Sequence, residues 1–187
     1  MPALAQLWAP ILLSAFLVFV ASSLIHMVFK WHNPDYRKLP NEDEVAATIR
    51  KGAAIPGQYV IPHCADMKEM AGADMQRKFT EGPVALVWVK QSGMPNMGPT
   101  MGVWFAFNLV IAFLVAYVAA HTVATGSPYL AVFRVVGAVA FLAYSGATAP
   151  ASIWMGKPWN ATLKEMGDGL IYGLLTAGAF GWLWPQA

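Results

Sequence analysis

The sequence predicts a mainly α-helical integral membrane protein, a four-span helical bundle with a small α+β cap outside the membrane between spans 1 and 2. Two observations lead to this fold class. The 187 residues are 57% hydrophobic and only 12% charged, against roughly 45–50% and roughly 25% in soluble domains. The charges are also concentrated, because nine of the twelve Lys and Arg residues and eight of the ten acidic residues lie between Lys30 and Lys90.

Four nearly charge-free runs are long enough to be membrane spans. A helix needs about 20 residues to cross about 30 Å of hydrocarbon. We therefore expect span 1 within residues 1–29, the cap within 30–101 and spans 2 to 4 within 102–187. A cleaved signal peptide is the alternative for the first run, but no basic residue precedes that run and it is longer than a signal-peptide core. The runs cover Leu7–Phe29, Gly102–Val123, Tyr129–Ala149 and Met166–Trp184.

The distribution of basic residues predicts the orientation in a cell (inner) membrane. Eleven of the twelve Lys and Arg residues follow the first or the third run, and segments rich in these residues stay in the cytoplasm. The N-terminus, the loop 124–128 and the tail 185–187 contain none. We expect both termini outside and the cap in the cytoplasm.

Local signals predict the elements of the cap. Asn41 followed by three acidic residues, with Arg50, Lys51 and Gly52 at the other end, predicts a capped helix over Glu42–Lys51. The β-branched and aromatic segments 58–61 and 84–90 predict two short strands, and 65–78 has a helical composition weakened by Gly72. Two strands alone are only marginally stable in water, so we expect the cap to pack against the bundle or against a partner.

The fourth run carries small residues at every fourth position, which places them on one helical face. In lipid, such strips let two helix backbones approach closely. We expect the strip to pack within the chain, against a similar strip formed by Ala112, Ala116 and Ala120 on the second run. A face for homo-oligomerisation or for a membrane-complex partner is the alternative. The strip consists of Gly169, Gly173, Ala177 and Gly181.

The cap also contains a candidate soft-metal site. Thiolate, thioether and imidazole ligands together suit copper. If a helix began near Pro62, three of the candidate ligands would share one face, although this is also how an ordinary amphipathic helix packs its apolar side. Apart from this copper hypothesis, we expect no cofactor. The candidates are His63, Cys64, Met67 and Met70.

Ionisable residues near the ends of the spans are the other candidates, because a charge in hydrocarbon requires a partner. Asp168 lies four residues after Lys164 and is expected to pair with it. His121, Arg134 and Tyr117 are expected to shape an outer polar pocket. His26 lies near the inner end of its span and His121 near the outer end of its own, so they are not expected to hold a haem together.

Motifs point to no specific reaction, since P-loop, GxSxG, HExxH and CxxC patterns are all missing. Our leading hypothesis is a non-catalytic integral membrane protein, an accessory or scaffold subunit of a membrane complex whose partners are the lipid bilayer and another membrane protein, not a nucleic acid. The alternatives are a copper-handling protein centred on Cys64, and a small lipid-acting enzyme or oligomeric transporter.

Overall fold

A computed structural model describes residues 1–186 of the chain. The protein is mainly helical, with one two-stranded sheet among the described residues. It divides into a helical unit, which comprises Met1–Arg37 and the chain from Asn96 onwards, and a middle unit, Lys38–Pro95. The elements are α1 (Trp8–Ser23), α2 (Glu42–Lys51), β1 (Gly57–Ile61), α3 (Met67–Met70), α4 (Ala73–Glu81), β2 (Ala85–Val89), α5 (Met97–Thr122), α6 (Tyr129–Ser145), α7 (Ala149–Met155) and α8 (Trp159–Trp182).

Within residues 1–186, three helical stretches are long and apolar enough to cross a membrane. They are Leu4–Phe29, which contains α1, Met97–Thr122, which is α5, and Tyr129–Met155, which contains α6 and α7. These stretches favour helix over strand because a helix satisfies its backbone hydrogen bonds internally, as a lipid environment requires. The chain is therefore compatible with a multi-pass membrane protein.

Helix α8 packs most extensively against α6 and also lies against α1. Its small-residue strip faces α6 so closely that a Cβ at Gly169 would overlap Ser145, and a Cβ at Gly173 would lie 3.1 Å from the backbone nitrogen of Phe141. A Cβ at Gly181 would lie 2.7 Å from the Tyr129 ring, and Ala177 is fully buried. The strip thus packs within the chain.

The expected partner of this strip was wrong. Ala116 and Ala120 of α5 are buried in a core with Leu7, Val132 and Trp184, Ala112 is buried as well, and α5 packs on α1 and α6. Small-residue strips carry no information about which of several similar strips they meet, and here α6 supplies the complementary surface.

The middle unit contains the elements expected from its sequence. Helix α2 covers Glu42–Lys51 as predicted, although the Asn41 side chain makes no capping hydrogen bond. Strands β1 and β2 are antiparallel, with Gly57 opposite Val89 and Ile61 opposite Ala85. The unit contains fewer residues than the predicted cap, 30–101, because residues 30–37 and 96–101 belong to the helical unit.

The contact between α6 and α8 makes a specific prediction. Gly173→Leu should destabilise the protein, because the larger side chain must displace the α6 backbone at Phe141 and overpacking of this kind costs about 1–3 kcal/mol or more. Thermal unfolding in mild detergent measures the effect. Gly102→Leu is the matched control, since a Cβ at Gly102 meets nothing within 4 Å. Equal melting temperatures for the two variants would contradict the close packing.

Candidate functional site

The first helical stretch ends in an irregular turn, at the end of span 1 that is predicted to face the cytoplasm. After α1 the chain continues as a π-helical turn over Leu24–Phe29, which contains His26. Turns of this type often occur at functional sites because they re-aim the side chains they carry. Lys30 then adopts a left-handed conformation with φ of +54°, which ends the helix. The chain folds back so that the His26 and His32 rings stack with their centroids 4.7 Å apart.

His32 is held between two carboxylates. Its Nδ1 lies 3.0 Å from Asp35 Oδ2, within a short 3-10 turn. Its Nε2 lies 2.8 Å from Oδ2 of Asp168, which is on α8. The His32 side chain is 13% exposed and that of Asp168 5%, so both contacts lie largely out of solvent. The segment after α1 is thereby fixed to α8.

His26 completes a group of three metal-ligating side chains. Its Nε2 lies 3.5 Å from the same Asp168 Oδ2. One ligand atom each from His26, His32 and Asp168 lies within 4.8 Å of the others. Two imidazole nitrogens and one carboxylate oxygen form a ligand set that zinc and other first-row transition metals bind. His26 is half-exposed, so this side of the group is accessible.

A lysine of α8 secures the second carboxylate. Lys164 Nζ donates to Asp35 Oδ1 at 2.6 Å and to the carbonyl oxygen of Trp31 at 2.9 Å. The Lys164 hydrogen bond, supported by that from His32, holds the pKa of Asp35 below its ordinary value, although burial acts in the opposite direction. Asp35 is therefore an ionised carboxylate that accepts a hydrogen bond from His32 Nδ1. This hydrogen bond fixes the orientation of the His32 ring.

Polar atoms next to this group retain bonding capacity. Asp168 Oδ1 and the Tyr172 hydroxyl are both buried without a hydrogen-bond partner among the described residues. Tyr172 lies one helical turn after Asp168 on α8. Buried polar atoms are ordinarily bonded, so the second oxygen of Asp168 is available to a ligand.

The sequence singled out three residues of this group, His26, Lys164 and Asp168, but not their arrangement. The predicted pairing of Lys164 with Asp168 was wrong, because Lys164 reaches Asp35 and Asp168 reaches His32. His32 was not singled out at all. The signal that could have revealed it is the turn-forming sequence His32-Asn33-Pro34-Asp35 directly after an apolar run, which places a histidine and a carboxylate at the membrane boundary.

The candidate ligands of the cap do not share a helical face. Helix α3 begins at Met67, with Asp66 as its cap, so His63 and Cys64 precede the helix and the condition of a helix start near Pro62 is not met. Cys64 Sγ donates to the Asp66 carbonyl oxygen at 3.0 Å. Met67 is 82% exposed and Met70 40%. Copper binding by His63, Cys64, Met67 and Met70 stays a hypothesis.

The candidates for an outer polar pocket lie on α5 and α6. His121 Nδ1 donates to the carbonyl oxygen of Tyr117 at 2.7 Å, and the two rings are 4.5 Å apart. Arg134 is exposed on α6. Within the described residues no hydrogen bond or ion pair connects Arg134 to either of them, so the outer polar pocket stays a prediction.

Comparison with known proteins adds no assignment. No protein-family model matches the chain, and no curated protein or solved structure is significantly similar to it.

Proposed function

We propose first that the chain crosses the membrane four times, with α8 as the fourth span. The first half of α8 is bonded to the segment that follows α1, through Lys164 and Asp35 and through His32 and Asp168. The other end of α8 lies beside the loop between α5 and α6, where the Trp184 indole donates to the carbonyl oxygen of Ala124 at 2.9 Å. With 24 residues, α8 is about 36 Å long. These contacts support a helix that runs from one end of α1 to the other.

The proposed topology has both termini outside and the middle unit in the cytoplasm. The support comes from the basic residues, which flank the inner ends of α1 and α8 at Lys30, Lys157 and Lys164 and are missing from loop 124–128. The charged group around Asp168 would then lie at the cytoplasmic boundary, where polar side chains reach water.

Reporter fusions test this topology. A periplasmic reporter joined after Gln186 should be active, and the same reporter inserted at Gly52 in the middle unit should be inactive, with a cytoplasmic reporter giving the reverse pattern. A cytoplasmic C-terminus together with a cytoplasmic Gly52 site would indicate three crossings. Reversed activity at both sites would instead retain four crossings but overturn the orientation.

We propose further that the protein binds a divalent transition-metal ion through His26, His32 and Asp168. The observation that carries this proposal is the convergence of three ligand atoms within 4.8 Å, with a carboxylate behind one of the imidazoles. Ligand atoms of a tetrahedral zinc site are about 3.4 Å apart, given bonds of about 2.1 Å. The separation of 3.5 Å between His26 Nε2 and Asp168 Oδ2 matches this value.

The contact between His32 and Asp168 would have to lengthen slightly for metal binding. His32 Nε2 and Asp168 Oδ2 are at hydrogen-bond distance, 2.8 Å, and would separate by about 0.6 Å to admit an ion between them. Asp35 would keep the Nδ1 proton on His32, which leaves Nε2 with the lone pair that a metal needs. Asp168 Oδ1, which has no partner among the described residues, could complete a bidentate carboxylate.

Three protein ligands leave at least one coordination position for water or an exchangeable group. A closed structural zinc site would have four protein ligands. The proposed function is therefore reversible binding of a metal ion at the cytoplasmic membrane boundary, with entry past the half-exposed His26.

Metal binding is tested on the full chain in mild detergent, without chelators. Wild-type protein should bind one equivalent of Zn²⁺, measured by elemental analysis and titration calorimetry. His32→Ala and Asp168→Asn should each weaken this binding strongly while leaving a measurable residual affinity, because either change removes one of three ligands. His121→Ala is the matched control, since His121 bonds only within its own helix, and it should bind normally. Binding lost instead in Cys64→Ser would move the site to the cap.

Asp35 provides a second, independent prediction as a positioning residue. Asp35→Asn should weaken Zn²⁺ affinity about 10- to 100-fold, the usual effect of losing a carboxylate behind a ligating histidine. The loss should disappear in a His32→Ala background, where the residual affinity should be unchanged by the second substitution. An equal loss in both backgrounds would show that Asp35 acts by holding the segment in general and not through His32.

An accessory role in a membrane complex is the second candidate function. The strip from Gly169 to Gly181 that suggested it is covered by α6 within the chain, so a partner would have to use another surface. Lipid-facing aromatic residues of α5 offer one, because Phe107 and Phe113 are exposed.

A further inference from the structure

The two-stranded sheet of the middle unit has an apolar face that is open to its surroundings. In β2 the residues alternate, with Ala85, Val87 and Val89 half-buried and Leu86 and Trp88 exposed. The register places Val60 of β1 opposite Leu86, and residues opposite each other in antiparallel strands point to the same face. The exposed face therefore carries Val60, Leu86 and Trp88 together.

This pattern differs from that of an ordinary solvated sheet. One face of an antiparallel sheet usually packs on a core, while the other carries polar residues. Here Trp88 is 63% exposed and Val60 45%, so this face is largely apolar, with Gln58, opposite Trp88, as its polar member. On the opposite face the β1 residues Tyr59 and Ile61 are exposed as well, whereas the β2 residues are half-buried. A two-stranded sheet is also marginally stable by itself. Contact with an apolar environment would bury the side chains of this face and stabilise the pair of strands.

The chain itself places this sheet close to a bilayer. The middle unit ends at Pro95, and the candidate span Met97–Thr122 begins two residues later. Trp88 precedes Met97 by nine residues, so it lies within about 30 Å of the point where that helix begins. The unit is held in the same way at its other end, where eight residues separate Lys38 from Phe29. No association with another molecule is needed to bring the face to lipid.

The composition of the face fits the bilayer interface in particular. Tryptophan is enriched at the boundary between headgroups and hydrocarbon, because its ring is apolar and its N–H is polar. Lys90, which is exposed, follows the strand two residues after Trp88, where its ammonium can meet anionic lipid phosphates while its stem lies along apolar surface.

We propose that Val60, Leu86 and Trp88 form a lipid-docking face that seats the middle unit on the bilayer surface. This inference rests on the proposed membrane crossing of the helical unit, but it is independent of the metal proposal. Docking would hold the unit in one orientation at the membrane and keep the strand pair folded.

Spin-label accessibility in vesicles of phosphatidylcholine and phosphatidylglycerol tests the proposal. Cys64→Ser removes the only cysteine, and Leu86→Cys then reports from the face with Trp88 intact. The label at Leu86 should collide more with oxygen, which partitions into lipid, than with a water-soluble nickel chelate. Glu44→Cys on α2 should give the opposite, aqueous pattern.

Two further variants distinguish the outcomes. In the Leu86→Cys protein, Trp88→Ser should shift the label to the aqueous pattern of the Glu44 site, whereas Ile55→Ser, which removes an exposed apolar residue outside the strands, should leave it in lipid. An aqueous pattern at Leu86 with Trp88 intact would overturn the proposal. Protection from both reagents would also overturn it, since a protein surface or a second copy would then cover the face.

A label on α5 separates failure of this proposal from failure of the membrane proposal. Phe113→Cys lies in the middle of a candidate span, and Phe113 is exposed. If its label collides mainly with oxygen while Leu86 is aqueous, the helices cross the membrane and only the docking face is wrong. If the Phe113 label is aqueous as well, the membrane crossing itself fails.

Discussion

A carboxylate buried in the helical unit constrains the arrangement of the elements around it. Asp168 is 4% exposed, and an isolated charge in hydrocarbon costs at least about 2.5–3.5 kcal/mol. The compensation comes from His26 and His32, which lie far away in the sequence. The π-helical turn after α1 and the left-handed Lys30 are the local features that bring both imidazoles to Asp168. The fold of residues 30–37 is thus coupled to α8.

Helix α8, which carries Asp168, is also constrained by its packing against α6. From Gly169 to Gly181, α8 presents small residues to α6, and contacts there are too close for larger side chains. If α8 crosses the membrane as proposed, this close approach takes the place of hydrophobic attraction between helices. Packing on α6 fixes the rotation of α8 about its axis, and this rotation directs Asp168 towards the segment after α1. A glycine strip and a buried carboxylate on one helix are therefore parts of one arrangement.

The fold was more predictable from the sequence than the site was. Apolar length predicted four spans, and three of them are helical stretches long and apolar enough to cross a membrane. Local capping and β-branched composition predicted α2 and the strands with small errors at their ends, because these signals act over a few residues. The site depends instead on the pairing of His32 with Asp168 across 136 positions. Sequence spacing favoured the neighbour Lys164, which is four residues away, and nothing in a single sequence indicates that Asp35 competes for it.

The soft-metal hypothesis and the histidine–carboxylate group illustrate how much depends on the arrangement of residues beyond their type. His63, Cys64, Met67 and Met70 are close in sequence, but the helix that would have aligned them starts only at Met67. His26, His32 and Asp168 are ordinary boundary residues when taken singly, and snorkelling explains each of them. Their significance comes from convergence, from the carboxylate behind His32 and from the second oxygen of Asp168, which no described residue bonds. A purely structural ion cluster would explain the convergence as well as a metal ion does. The proposed metal ion would in addition bond that oxygen, for which no partner lies among the described residues.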